Sequence, residues 1–185
     1  MNKNYEMKKM EGDFQKVYKI CFLGDPAVGK TSIIIRHTEK RFEDTYKLTI
    51  GTDISAKLMQ VEDKNIYLII WDIGGQERYQ ILRESYLQGS FGAIIVFSIS
   101  DKDSFNHVSD WLNEYWKTCG RLPVLVLANK IDLKDERVVD DAEIKKKFEE
   151  LGIQYLETSA KTGENVDKAF ELIIQKIFKE ESEKK

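Results

Sequence analysis

Six short apolar runs rich in Val, Ile and Phe alternate along the chain with segments in which apolar residues return every three or four positions. Runs of the first kind, at residues 18–23, 54–61, 66–71, 93–99, 124–128 and 154–157, predict buried β-strands. Segments of the second kind predict helices over 30–38, 104–118, 141–151 and 166–179, with a shorter one near 79–87. Strand alternating with helix argues for an α/β fold, a mostly parallel six-stranded sheet with helices on both faces. The second and third runs are separated only by EDKN, residues 62–65, so that pair is expected as an antiparallel hairpin. Within 104–118 the residues Phe105, Val108, Leu112 and Tyr115 fall on one face and should meet the sheet. Trp111 and Trp116 flank that stripe, as core rim or as a partner surface.

Composition narrows the picture. At 185 residues the chain suits one domain, expected over 17–179, with residues 1–16 as a polar extension and 180–185 as a short polar tail. The extension is either a frayed tail or a partner-binding arm. With 42% hydrophobic residues and no apolar run long enough for a bilayer, the chain reads as soluble. A net charge of −3 from 29 basic and 32 acidic residues gives no general attraction to nucleic acid or anionic lipid, so a bound polyanion has to be held locally. Cys21 and Cys119 lack metal-ligand or disulfide spacing and fit a reducing, cytoplasmic setting. Asn2 stands where a myristoylated chain needs glycine, and EESEKK offers no prenylation cysteine, so no direct lipid anchor is expected. His37 and His107 stand alone on helical segments and read as solvated or locally hydrogen-bonded.

Chemistry enters with GDPAVGKTS, residues 24–32. It follows a strand, opens a helix and fits glycine, four residues, glycine, lysine, serine or threonine, the pattern of a phosphate-binding loop. A plain glycine-rich turn is the bland alternative. In the functional reading Asp25, Pro26, Ala27, Val28, Gly29, Lys30, Thr31 and Ser32 form the loop around the phosphates, held by backbone N–H groups of residues other than Pro26 and by a helix N-terminus. Lys30 reaches the outer phosphates and Thr31 ligates Mg2+. Pro26 needs only φ near −65° and a dispensable N–H there, so it does not spoil binding.

Further along, YLIIWDIGGQE places Asp72 at a strand end, able to approach the same metal through a water, or else to cap a turn. Gly75 admits a terminal phosphate close to its amide. Gln76 either orients an attacking water or is an exposed loop glutamine. In ANKID, residues 128–132, the Asp132 carboxylate accepts two hydrogen bonds from the N1–H and 2-amino edge of guanine, an edge adenine lacks. Asn129 braces that loop and Lys130 lays its stem along the base.

With ETSAK at 157–161, these ordered motifs make the chain resemble the small GTPases of the Ras superfamily, nearest the Rab and Ras branches, over about residues 17–178. The resemblance implies a P-loop small G domain with five helices, GTP or GDP with Mg2+ at the carboxyl ends of the strands, and two loops that change shape on hydrolysis. By position, Phe42 is similar to the aromatic packed on guanine and Tyr46 to the tyrosine covering the phosphates. Thr49 is similar to the switch threonine that completes the Mg2+ shell. Ser159, Ala160 and Lys161 match the second base-binding loop, with the Ala160 amide on guanine O6. Lys30 and Gln76 take the catalytic positions, and intrinsic turnover is implied to be slow, on the order of once an hour, because an arginine comes from a partner.

Arg36, Arg41 and Arg78 are near the right segments, with no cis arginine evident. Effectors, exchange factors and activating proteins are the implied partners of a monomer acting as a switch in vesicle trafficking or signalling. The effector trio of the Rab branch corresponds to Ile54, Trp71 and Tyr86; Trp71 is equally readable as core. Ile73-Gly74 departs from the usual Thr-Ala and leans toward the Arf style. Pro26 stands near where water, Gln76 and the γ-phosphate meet. It leaves open a second reading, a GTP-loaded binding module with little hydrolysis. An ATP-using phosphotransferase is a weaker third, because NKID reads guanine.

Overall fold

Glycines, buried strands and helix caps set the frame that presents the motifs. The computed structural model describes residues 16–43, 48–76 and 80–184. Tyr46, Arg78 and residues 1–15 of the extension lie outside the described residues. The elements are β1 (Lys16–Leu23), α1 (Lys30–Glu39), β2 (Thr52–Val61), β3 (Lys64–Ile73), α2 (Gln80–Leu87), β4 (Gly92–Ser98), α3 (Lys102–Asn106), α4 (Val108–Cys119), β5 (Val124–Asn129), a 3-10 turn (Lys134–Glu136), α5 (Asp141–Leu151), β6 (Tyr155–Thr158) and α6 (Val166–Glu183). The six strands form one sheet in the order β2-β3-β1-β4-β5-β6. β2 and β3 are antiparallel and every other pair is parallel. No helix among the described residues is long and apolar enough to cross a membrane.

Each predicted strand is present, and β2 and β3 reach further than the apolar runs because their outer residues pair across the hairpin. The turn shrinks to Glu62 and Asp63, with Glu62 at φ 54°. The helix expected over 104–118 is two segments, so the described chain has six α-helices where five were expected. Its first part starts at Asp101, whose carboxylate accepts from Asp103 N–H at 3.1 Å and Ser104 N–H at 3.2 Å. His107 then joins the two, with its backbone in the right-handed region. α5 carries a complete capping box between Asp140 and Glu143.

Strand alternation sends successive residues to opposite faces, and each face has its own core. On one face Tyr18, Ile20 and Phe22 of β1 meet Ile33 of α1 and Phe170, Ile173 and Ile174 of α6. On the other, Cys21, Leu23, Ile95 and Phe97 meet Val108, Leu112 and Tyr115 of α4 and Phe148 of α5. The predicted stripe of α4 is therefore core-facing, and Trp111 is buried beside it. Burial pushes the Cys21 thiol up to about 12, so it is inert packing. The register brings Phe22 beside Asp72, Ser98 beside Asn129 and Asn129 beside Thr158. The motif residues thus assemble along the carboxyl edge of the sheet, where ligands bind in folds of this class.

Of the two environments expected for His37, solvated or locally hydrogen-bonded, the fold gives a buried form of the second. It is 3% exposed, stacked on Phe170 with ring centroids 3.7 Å apart, and its Nδ1 lies 2.7 Å from Asp167 Oδ1. Its Nε2 has no hydrogen-bond partner among the described residues. Burial pushes its pKa down to about 4, against the pull of Asp167 and with the help of Lys57 and Lys40. The unfolded histidine, near its ordinary 6.5, binds a proton that the folded one refuses, so stability falls as pH drops from about 6.5 toward 4. In urea unfolding, wild type is expected to lose about 1 to 3 kcal/mol more than His37→Phe between pH 7 and pH 4.5. Equal losses in the two proteins would place the acid sensitivity elsewhere.

Candidate functional site

The phosphate loop leaves β1 at Leu23 and enters α1 at Lys30, and its glycines are dictated by what surrounds them. A Cβ on Gly24, at φ 129°, would lie 2.1 Å from the Val96 carbonyl oxygen. One on Gly29, at φ 98°, would lie 2.4 Å from Asn129 Nδ2. The loop is therefore pressed between the backbone of β4 and the base-reading loop. Lys30 is 6% exposed and its ammonium curls back across the loop, donating to Gly24 O at 2.7 Å and Asp25 O at 2.8 Å. Burial lowers its pKa to about 8, while Asp72 and Asp25 pull the other way. An anionic phosphate in the loop adds to that second pull and holds the lysine charged.

Beside the lysine three oxygen-bearing side chains converge. Thr31 Oγ1 is 2.9 Å from Thr49 Oγ1 and hydrogen-bonds to Asp72 Oδ2, to which Thr49 Oγ1 also donates at 3.4 Å. Asp72 is 3% exposed, and its Oδ1 has no partner among the described residues. Burial raises its pKa, with the charge of Asp53 in the same direction, against Thr31 and Lys30. A buried carboxylate with an orphaned oxygen next to two hydroxyls is a hard-oxygen donor set, which fits Mg2+. No cluster of three or more His, Cys, Asp or Glu able to hold a metal ion occurs among the described residues.

The two segments around this corner touch. Gly74 N–H donates to Gly51 O at 2.8 Å, and a Cβ on Gly74 would come within 2.9 Å of both the Thr49 and the Gly51 carbonyl oxygens. The unusual Gly74 thus lets the Thr49 segment lie directly on it. Gly75 packs as closely on the phosphate loop, where a Cβ would meet Gly24 O at 2.4 Å and Pro26 N at 2.8 Å.

At the far end the Asn129 carboxamide is buried and joins three segments. Its Nδ2 donates to Val28 O at 2.9 Å, and its Oδ1 accepts from Thr158 Oγ1 and the Ala160 N–H, both at 3.3 Å. Ser159 Oγ donates to Asp132 Oδ1 at 2.6 Å and accepts from the Thr162 N–H at 3.0 Å, which aims the carboxylate. Lys130 sits at φ 70°, and burial lowers its pKa. Between the two ends runs a cleft of about 290 Å³, lined by Pro26, Ala27, Gly29, Lys30, Thr31, Ser32, Phe42, Thr49, Gly75, Asn129, Lys130, Asp132, Ala160 and Lys161 from the motifs, and by Glu43, Leu48 and Leu133.

Several expected residues act from behind this lining. Val28 is fully buried, and its carbonyl accepts from Asn129; Ser159 works through Asp132. Asp25 turns its carboxylate away from the cleft, to Trp111 Nε1 and His107 Nδ1, each at 2.7 Å. Gln76 follows Gly75 just outside the lining, its carbonyl held by Arg83 Nη1 at 3.1 Å.

Arg36 does not face the phosphates. Its Nε donates to Ala160 O at 2.8 Å, its Nη2 to Lys161 O, and its guanidinium lies 5.9 Å from the Phe42 ring. Arg41 is engaged by Glu39 at 2.5 Å and by Glu43. Arg36, Arg83, His107 and Trp111 are supporting residues that motif reading passes over, since none has a spacing signature. On the outer surface Ile54 pairs across the hairpin with Trp71, and the Trp71 ring lies 6.0 Å from Tyr86. Ile54 is 52% exposed, whereas Trp71 is half-buried against the core.

Known proteins carry the same pattern. The sequence pattern described as the Ras family matches residues 19–179. The chain is 40% identical over 169 residues to the Ras-related protein RABA5b of Arabidopsis thaliana, covering 91% of this chain and 78% of that one. It is 39% identical over 162 residues to the GTP-binding protein YPTM1 of Zea mays, covering 87% and 78%, and 38% identical over 162 residues to the Ras-related protein RIC1 of Oryza sativa subsp. japonica, covering 87% and 80%. A match across nearly the whole sheet, together with a cleft built from the motifs that define it, shows that this chain belongs to the Ras family of small GTPases.

Proposed function

We propose that the chain is a switch that binds GTP with Mg2+, hydrolyses it slowly and presents a different surface to effectors in each nucleotide state, in vesicle trafficking or signalling. The observation that carries this reading is the convergence on one cleft of Lys30, Thr31, Thr49 and Asp72 at one end and Asn129, Asp132 and Ala160 at the other. In this reading Thr31 and Thr49 hold Mg2+ directly and Asp72 holds it through a water. When bound, the metal neutralises charge on the β- and γ-phosphates.

The chain's own groups do the rest. Lys30 and the loop amides meet charge that develops on the transferring phosphoryl group. Gln76 orients the attacking water. Asp132 selects guanine, with Ser159 fixing the carboxylate and Arg36 fixing the loop that carries Ala160. Loss of the γ-phosphate frees Thr49 and Gly75, and the segments that lie against each other at Gly51 and Gly74 separate. Exchange factors, activating proteins and effectors are the partners such a cycle needs.

Pro26 packed against Gly75 favours weighing the second reading, a GTP-loaded module with little hydrolysis. Single-turnover assays separate the two. Gln76→Leu is expected to slow hydrolysis about 10- to 100-fold by losing the oriented water, and Pro26→Gly to leave GTP binding intact. If wild type and Gln76→Leu are equally inert, the module reading stands and Gln76 has no catalytic role.

Base selection has its own test. Asp132→Asn keeps an acceptor for Ser159 but loses the charged pair of bonds to guanine. Titration with fluorescent nucleotides should show GTP affinity falling about a hundredfold, roughly 3 kcal/mol. ATP binding should stay weak throughout. Tight ATP binding that survives the substitution would point instead to an ATP-using enzyme.

A further inference from the structure

We propose that Arg83 is a positioning residue for hydrolysis: it ties the backbone of Gln76 to α4, the helix that also grips Asp25 of the phosphate loop, so one element sets the separation of Gln76 from the γ-phosphate. The inference rests on the reading that Gln76 orients the attacking water.

The tie is built from a side chain that is expensive to bury. Arg83 is 4% exposed. Its Nε donates to Glu114 Oε1 at 2.6 Å, its Nη2 to Glu114 Oε2 at 3.1 Å and its Nη1 to the Gln76 carbonyl at 3.1 Å. The guanidinium also lies 4.8 Å from the Trp111 ring centre. A buried ion pair adds little net stability compared with apolar packing, so its three-way geometry asks for another reason. Only the planar fork of arginine serves a carboxylate on one edge and a backbone carbonyl on the other; a lysine presents a single point of charge.

The second grip is on the same helix. Trp111 stacks near Arg83 and gives its indole N–H to Asp25 at 2.7 Å, while His107, at the start of α4, takes the other Asp25 oxygen at 2.7 Å. Asp25 immediately precedes Pro26, and Gln76 immediately follows Gly75, which is packed against Pro26. Both sides of the reaction centre therefore hang from α4, which is itself anchored in the sheet by Val108, Leu112 and Tyr115. A displacement of about 1 Å at such a centre is enough to slow chemistry roughly a hundredfold.

The test replaces the ion pair by apolar groups of similar length, Arg83→Met with Glu114→Met, which preserves packing while releasing Gln76. Single-turnover GTP hydrolysis and fluorescent-nucleotide affinity are measured for the full chain in the wild-type and the Gln76→Leu backgrounds. The methionine pair is expected to slow hydrolysis about tenfold in the wild-type background, to shift GTP affinity by less than about twofold, and to have almost no effect once Gln76 is leucine, since residues acting through one another are not additive. If Gln76→Leu slows hydrolysis but the methionine pair leaves the wild-type rate unchanged, or slows both backgrounds equally, the tie is overturned and the Gln76 reading survives. If Gln76→Leu alone leaves the rate unchanged, the Gln76 reading falls and the tie falls with it.

Discussion

The carboxamide of Asn129 keeps the two ends of the cleft at a fixed separation. Its amide nitrogen is bonded to the phosphate loop and its oxygen to the loop that follows β6, so the distance from phosphate cradle to base pocket is set by one buried side chain. That arrangement explains Gly29 as well. The backbone there runs so close to Asn129 Nδ2 that a single methyl group would push the two loops apart. Three strand ends then have to stop in register for the carboxamide to reach all its partners, and the pairing of Ser98 with Asn129 and Asn129 with Thr158 supplies that alignment. The parallel sheet and its two cores matter to function chiefly because they hold these ends still.

At the phosphate end the constraint is electrostatic. Lys30 and Asp72 are both nearly buried, and burial works against the charge of each, lowering the pKa of the lysine and raising that of the acid. Each is partly relieved by the other, yet the lysine turns two of its three donors to backbone carbonyls and the acid leaves one oxygen without a partner among the described residues. Such a pair is poised for ligands of opposite charge. An anion at Lys30 and a cation at Asp72 would relieve both penalties at once, so the phosphate and metal binding proposed here would support each other.

Much of this was legible in the sequence, for identifiable reasons. Backbone-dictated features leave sharp marks: glycines at two tight approaches, a lysine and threonine opening a helix, and an Asp or Asn at a strand end. Strand and helix periods placed the six strands and most of the helices, and the hairpin followed from the shortness of its connection. Features set by tertiary packing left no such mark. Nothing in the spacing of Arg36 says that it turns to the base loop, and an apparently solitary His37 gives no hint of the Phe170 ring stacked on it. The helix expected at 104–118 was drawn as one because its apolar stripe continues across His107, while Asp101 captures the N–H groups of Asp103 and Ser104 and starts a separate segment earlier. Asp25 looked like part of the phosphate cradle, and only the fold shows its carboxylate committed to α4.

The slow hydrolysis proposed for the isolated chain has a counterpart in where the arginines sit. Five arginines fall among the described residues, none of them lines the cleft, and each has partners of its own: Arg36 the base loop, Arg41 Glu39 and Glu43, Arg83 Glu114 and Gln76, Arg121 the Trp116 ring, and Arg137 Asp141 and Glu157. In the proposed reaction the charge that builds on a transferring phosphoryl group would be met, within the described residues, by Lys30 and backbone amides. Arg83, in the role proposed for it, would contribute geometry by holding the Gln76 carbonyl. An activating protein that inserts its own cation would then find the water-orienting backbone already in place, and its contribution would be charge rather than rearrangement.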